Sequence, residues 1–124
     1  MSIIVRWQGR PGRVYSFDTY PLGIRFQPFS GVYMACAFRH GTGWTALYVG
    51  EAESFQDRLN TDLAGHDGLG RALRGGATHI GMLIVSGETN RQAIEAELRH
   101  ILKPPYNAQP GDLLGAVKRN WLRG

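Results

Sequence analysis

Cysteine is nearly absent from this sequence: Cys36 stands alone, inside an apolar run. A single cysteine cannot build a disulfide framework, so a reducing compartment fits. No local His or Asp pattern is there to activate the thiol, and Cys36 reads as a small core residue. Lysine is scarce too: of the 14 basic residues, two are Lys and twelve are Arg. No apolar run approaches the roughly 20 residues of a membrane span. The start, MSIIVRWQG, lacks the long apolar segment of a signal peptide. These absences lead to the expectation of a cytoplasmic protein with no membrane association.

What is present suits a small folded unit. The chain has 124 residues, of which 43% are hydrophobic, enough for a core in a single domain spanning 1–124. Its 17 glycines gather at turns instead of forming a low-complexity tract. The net charge of +4 is carried almost wholly by Arg, which binds phosphate through a bidentate fork that Lys lacks. Charge alone favours a basic protein that never meets nucleic acid.

Along the chain, Ile3, Val5 and Trp7 alternate as in a strand, and Gly9-Arg10-Pro11-Gly12 signals a turn. A second short strand over Val14 to Asp18 completes an N-terminal β-hairpin within residues 1–29, followed by a loop over 19–30. Residues 31–38 read as a strand with Val32, Met34, Cys36 and Phe38 on one face and Tyr33, Ala35 and Ala37 on the other. Residues 44–50 form the next strand, with Trp44, Ala46 and Tyr48 expected on one face. Ser54 followed by Asp57 is a capping pattern, and Phe55, Leu59 and Leu63 have helical spacing. Asp67 caps another short helix that ends at Gly75-Gly76, and 78–85 reads as a buried strand. Thr89 with Gln92 suggests a second capping box. The helix that follows carries Ile94, Leu98, Ile101 and Leu102 and is stopped by Pro104-Pro105 after Lys103. Leu114, Val117 and Trp121 have the spacing of a short helix in the tail. The expected fold is α/β, an α+β sandwich: a small central antiparallel or mixed sheet with helices on both faces and an extra N-terminal hairpin.

The stretch GVYMACAFRHGTGWTALYVG holds two mirrored tripeptides, Gly31-Val32-Tyr33 and Tyr48-Val49-Gly50. A hairpin loop centred on His40-Gly41 would set Tyr33 directly opposite Tyr48, with Cβ atoms about 5 Å apart. A centre shifted by one residue would make the pair diagonal. By itself such a pair is better explained by sheet stability than by chemistry.

GVY followed by YVG resembles the paired signature of the GIY-YIG endonucleases. The resemblance runs on through YVGEAESFQDRL, where Arg58 stands at the family's helical arginine, and GGATHIGMLIV, which is similar to the third strand of that fold. It closes in IEAELRHILKPPYN, where Glu95, Leu98, Pro104 and Asn107 match in order. It covers residues 30–108, leaving 1–29 as an N-terminal extension and 109–124 as a C-terminal tail.

The resemblance implies metal-dependent hydrolysis of DNA phosphodiesters by in-line attack of water. It implies catalytic roles for Tyr33, Tyr48, Arg58, Glu95 and Asn107, with Gly31 and Gly50 shaping the site. Either Tyr33 or Tyr48 would take the proton from water, and metal-bound water is a rival base. A free phenol has a pKa near 10, which a nearby cation could lower. Arg58 would fork onto the phosphate; its residue-level alternative is an ion pair with Asp62. Glu95 would hold Mg²⁺ or Mn²⁺. It sits about 100° around the helix from Ile94, at the rim of the apolar stripe, with Glu97 on the other rim. Either could be a solvated glutamate pairing with Arg91 or Arg99, and only the motif selects Glu95. Asn107, if not a turn-capping amide, would hydrogen-bond within the site.

The chain also departs from the pattern. Glu51 follows Tyr48-Val49-Gly50 where DNA-repair members carry Lys. Some members place a basic His four residues after the motif Arg; here that position is Asp62, and His66 is the candidate further on. Lys118, Arg119 and Arg123 cluster with Trp121 in the tail, a combination suited to nucleic acid. DNA, branched or structured, is the expected partner, with RNA not excluded. A homodimer or a partner protein is one source of specificity. The alternative is a catalytically silent module of the same fold that binds nucleic acid or protein.

Overall fold

The computed structural model describes residues 2–60 and 67–108. The described residues build five strands, β1 (Ile3–Gln8), β2 (Val14–Pro21), β3 (Gly31–Arg39), β4 (Gly43–Ala52) and β5 (His79–Ile84). Between and after them, the described residues also form helices α1 (Phe55–Asn60), α2 (Asp67–Arg74) and α3 (Glu88–Leu102), and a 3₁₀ turn over Pro105–Asn107. The strands form one sheet in the order β1-β2-β5-β3-β4, antiparallel throughout. The N-terminal hairpin is therefore part of the sheet: β2 pairs with β5. It also runs three residues beyond the expected Asp18, to Pro21.

β3 is covered on both faces, with Gly31 through Ala37 all buried. The face bearing Tyr33, Ala35 and Ala37 packs with Phe55 and Leu59 of α1 and Leu69 and Ala72 of α2. The opposite face, with Val32, Met34, Cys36 and Val49, packs with Leu98 of α3 and with Val5, Trp7 and Phe17 of the N-terminal hairpin. Fully buried side chains of this size each stabilise the fold by about 1.5–3 kcal/mol. Cys36 belongs to this core, and burial pushes its thiol up to about 12, far from a reactive thiolate.

The β3–β4 register differs from the expected one, and the difference shapes the site. The connecting loop is three residues, His40 to Thr42, and Arg39 pairs with Gly43. The Thr42 N–H donates to the Arg39 carbonyl at 3.2 Å, and Gly41 and Gly43 take the positive φ that such a loop demands. Cys36 pairs with Ala46 but Ala35 pairs with Tyr48, so Leu47 is one extra residue, a β-bulge. Because strand side chains alternate, one inserted residue flips all that follow it. Trp44 and Ala46 pack on the α3 face, while Tyr48 packs on the other, with Tyr33. The expected shared face for Trp44, Ala46 and Tyr48 is thus broken by the bulge. Tyr33 faces Gly50, and the two tyrosines are diagonal neighbours.

Helix ends follow the sequence in part. The Ser54 Oγ accepts the Asp57 N–H at 3.3 Å, as a cap should. α2 ends at Gly75-Gly76 as expected. α3 starts at Glu88 with Gly87 before it and no side-chain cap, so the Thr89–Gln92 box does not form. Its last turn closes on Lys103, left-handed at φ 48°, whose N–H donates to the Arg99 carbonyl before Pro104 prevents continuation. No helix among the described residues is long and apolar enough to cross a membrane. The tail helix expected around Leu114, Val117 and Trp121 lies outside the described residues.

Candidate active site

Tyr33 is the third residue of β3, between β5 and β4, and is fully buried. Its ring lies over Gly50, where any Cβ would collide with the phenol. The mirrored glycine is therefore required by the tyrosine across from it. Tyr48, half-buried, places its ring centroid 6.2 Å from that of Tyr33, tilted by 35°. Gly68 in α2 packs against the Tyr48 ring, and a Cβ there would enter it. The pattern of the sequence did not single out Gly68, because its role depends on which helix lands on Tyr48.

Arg58 joins the two phenols from α1. Phe55 and Leu59 anchor that helix in the core, which leaves Arg58 on its flank. The Arg58 Nε–H donates to the Tyr33 hydroxyl at 3.1 Å. Burial works against the guanidinium charge, but Tyr33 and, more weakly, Tyr48 outweigh it and raise its pKa further. The effect on Tyr33 runs the other way. Burial holds its hydroxyl well above a phenol's usual range, Tyr48 adds to this, and Arg58 only partly offsets it. The expectation that a nearby cation would leave a tyrosine with a lowered pKa is not met at Tyr33, because desolvation wins.

Beside Arg58 opens a cavity of about 920 Å³, lined also by Glu51, Ser54, Asp57, Glu88 and Arg91. Glu51 at the end of β4 bonds the Arg91 Nε of α3 at 2.9 Å, and Arg91 is the buried charged residue of the described core. The carboxylate found in place of lysine is thus balanced by an arginine of its own. Glu95, one turn after Arg91, pairs instead with Arg99 at 3.3 Å. Burial raises the Glu95 pKa, Arg99 partly offsets this, and the Glu51 charge raises it again. Among the described residues Glu95 makes no hydrogen bond with Tyr33, Tyr48 or Arg58.

Glu97 does something different. Its carboxylate accepts the Arg10 N–H at 2.9 Å, the Arg10 Nε–H at 3.2 Å and the Tyr15 hydroxyl at 3.0 Å, with Arg13 at 3.7 Å. Burial opposes its charge, yet these donors hold its pKa below the ordinary carboxylate value. Glu97 fastens the N-terminal hairpin to α3.

Asn107 bonds backbone and not a tyrosine. Its Oδ1 accepts the Val49 N–H and its Nδ2 donates to the Val49 carbonyl, both at 2.8 Å. β4 is the outer strand, so the amide replaces one residue of a missing neighbour strand beside Tyr48 and Gly50. Arg71 steadies this segment by donating to the Tyr106 carbonyl at 3.2 Å. Asn60 grips both backbone groups of Phe26 in the same manner, each at 2.9 Å.

His66 and Asp62, together with Lys118, Arg119 and Arg123, lie outside the described residues. Gly31 abuts the Leu83 carbonyl and the Phe55 ring, so it serves strand packing.

A crowded glycine and two phenols on this sheet meet an arginine from α1 in an α/β fold. Two solved structures of the GIY-YIG N-terminal endonuclease domain of UvrC from Thermotoga maritima are similar to the chain, each a tyrosine-to-phenylalanine mutant bound to its catalytic divalent cation. The TM-score is 0.53 for both, at 24% and 22% identity, covering 68% of this chain and 88% of theirs. The fold is that of a GIY-YIG endonuclease domain. No family model matches the chain, and no curated protein does.

Proposed function

We propose that the protein is a divalent-metal-dependent endonuclease that hydrolyses DNA phosphodiesters. The observation carrying this reading is the contact of Arg58 with Tyr33, beside Tyr48, in a GIY-YIG fold. A guanidinium held by a phenol is aimed in advance, and a preset charge costs no reorganisation when the phosphate becomes more negative.

Each residue then has a chemical part. Arg58 binds non-bridging phosphate oxygens. Tyr33 stays protonated at neutral pH, so it orients Arg58 and donates a hydrogen bond but takes no proton. Tyr48, less buried, is the phenol that meets the attacking water. Asn107 holds the β4 backbone so that Tyr48 and Gly50 keep their place.

Glu95 fits a hard divalent cation. Its carboxylate is partly desolvated, only partly compensated by Arg99 and repelled by the Glu51 charge, so added positive charge is favourable there. Among the described residues no group of three or more potential ligands forms, so phosphate and water would fill the remaining positions. When bound, the cation supplies charge to the leaving oxygen.

The test is nicking of supercoiled plasmid by the full chain with Mg²⁺ or Mn²⁺ and with chelator. Cutting only with metal is expected. A chain that binds DNA yet cuts no DNA or RNA form with either metal is a silent module, and the proposal fails.

A further inference from the structure

The 3₁₀ turn over Pro105–Asn107 lies between α2 and β4 and touches both. On the β4 side, Asn107 grips both backbone groups of Val49, the chain neighbour of Tyr48. On the α2 side the turn meets Gly68, Arg71 and Gly75, three residues spaced to share one helical face. Arg71 donates to the Tyr106 carbonyl at 3.2 Å and to the Ala108 carbonyl at 3.4 Å. A Cβ on Gly75 would enter the Tyr106 phenol at its hydroxyl end and crowd the Arg71 carbonyl. A Cβ on Gly68 would enter the Tyr48 ring and crowd the Tyr106 carbonyl.

Neither glycine is there for a left-handed turn. The positive φ after α2, 114°, belongs to Gly76, and Gly68 and Gly75 take none. Glycine within a helix is ordinarily a cost. At Gly68 and Gly75 the missing side chains make room for Tyr48 and Tyr106. Tyr106 is half-buried and packs, with Tyr48, on the core cluster that holds Leu69 and Ala72 of α2. Among the described residues its hydroxyl makes no hydrogen bond, and its ring makes no ring contact with Tyr48. The shape of the Tyr106 ring is therefore what α2 responds to. One turn thus holds Tyr48 from two sides, by its backbone through Asn107 and by its ring through the face of α2 on which Tyr106 rests.

We propose that Tyr106 is a positioning residue for Tyr48. Its ring, seated at Gly75, sets how closely α2 approaches β4, and through Gly68 it sets where the Tyr48 phenol stands. The proposal rests on the reading above in which Tyr48 meets the attacking water. Packed interiors compress little and transmit strain, so a displaced or shortened Tyr106 ring is felt along α2 at Gly68. A reacting group misplaced by about 1 Å loses about 10²-fold in rate.

The test is NMR of the full chain with isotope-labelled tyrosine rings, paired with single-turnover nicking at saturating DNA. The Tyr48 signal is identified by its absence from Tyr48→Phe. Tyr106→Leu, read below its melting transition, should move the Tyr48 signal and slow nicking by about 10- to 100-fold, with DNA affinity unchanged. Tyr106→Phe keeps the ring and should restore both. Gly75→Ala, which displaces the ring instead of shortening it, should act as Tyr106→Leu does. A folded Tyr106→Leu chain with the Tyr48 signal in place overturns the inference, and so does a Tyr106→Phe chain that fails to restore it. The two readings fail separately. A Tyr48 signal that moves in a chain that never nicks keeps the positioning and removes the nuclease. Nicking by wild type with an unchanged rate in Tyr106→Leu does the reverse.

Discussion

Tyr33 and Gly50 are cross-strand partners, and the ring of the one occupies the space that a side chain on the other would need. Gly50→Ala must therefore move the Tyr33 ring, and with it the hydroxyl that receives Arg58. Overpacking of this kind costs about 1–3 kcal/mol. Nicking should fall further than that stability loss accounts for, because Arg58 loses its aim. Melting and nicking measured on the same preparation check this.

Asn107→Ala removes both bonds to the Val49 backbone and leaves an outer strand unpaired at that residue. The expected loss is about 1–3 kcal/mol in urea melts. Asn107→Asp keeps the acceptor but cannot donate to the Val49 carbonyl, so it should rescue little. Near-wild-type stability for either variant would remove the clamp from the account.

The acid limb of activity should follow Glu95. Its carboxyl must be ionised to hold a cation, and its pKa lies above the ordinary value, so activity is present above that pKa and lost as pH falls through it. Arg99 lowers this pKa, so Arg99→Ala should move the acid limb to higher pH. Glu51 raises it, so Glu51→Gln should move the limb to lower pH. Shifts in the same direction would mean that another group controls the limb.

Glu95 and Glu97 should separate cleanly. Glu97→Ala frees the N-terminal hairpin from α3 by removing a covered carboxylate whose partners Arg10 and Arg13 are more than half exposed. A stability loss of about 1 kcal/mol with nearly normal nicking is expected. Glu95→Ala should do the opposite, abolishing nicking while the fold melts normally. Thermal melts paired with rates distinguish them.

Much of this arrangement was legible in the residues. The alternation in 31–38 correctly divides β3 into two buried faces, and the Pro104-Pro105 stop places the end of α3 within one residue. The register was not legible. The insertion of Leu47 has no signature in composition, since Ala46, Leu47 and Tyr48 suit a regular strand equally well. The bulge nonetheless decides which face Tyr48 joins. Glu95 and Glu97 are also equivalent by helix geometry alone; what separates them is a turn 87 residues away that closes on Glu97. The Glu51–Arg91 pair likewise depends on where α3 crosses β4.

The most direct measurement is the single-turnover nicking rate of Arg58→Ala and Glu95→Gln against wild type, at saturating DNA and divalent metal. The account predicts that each variant melts like wild type and cuts about 10²- to 10³-fold more slowly, the scale for removing one preset charge from a transition state. Folded variants that cut at the wild-type rate would contradict it.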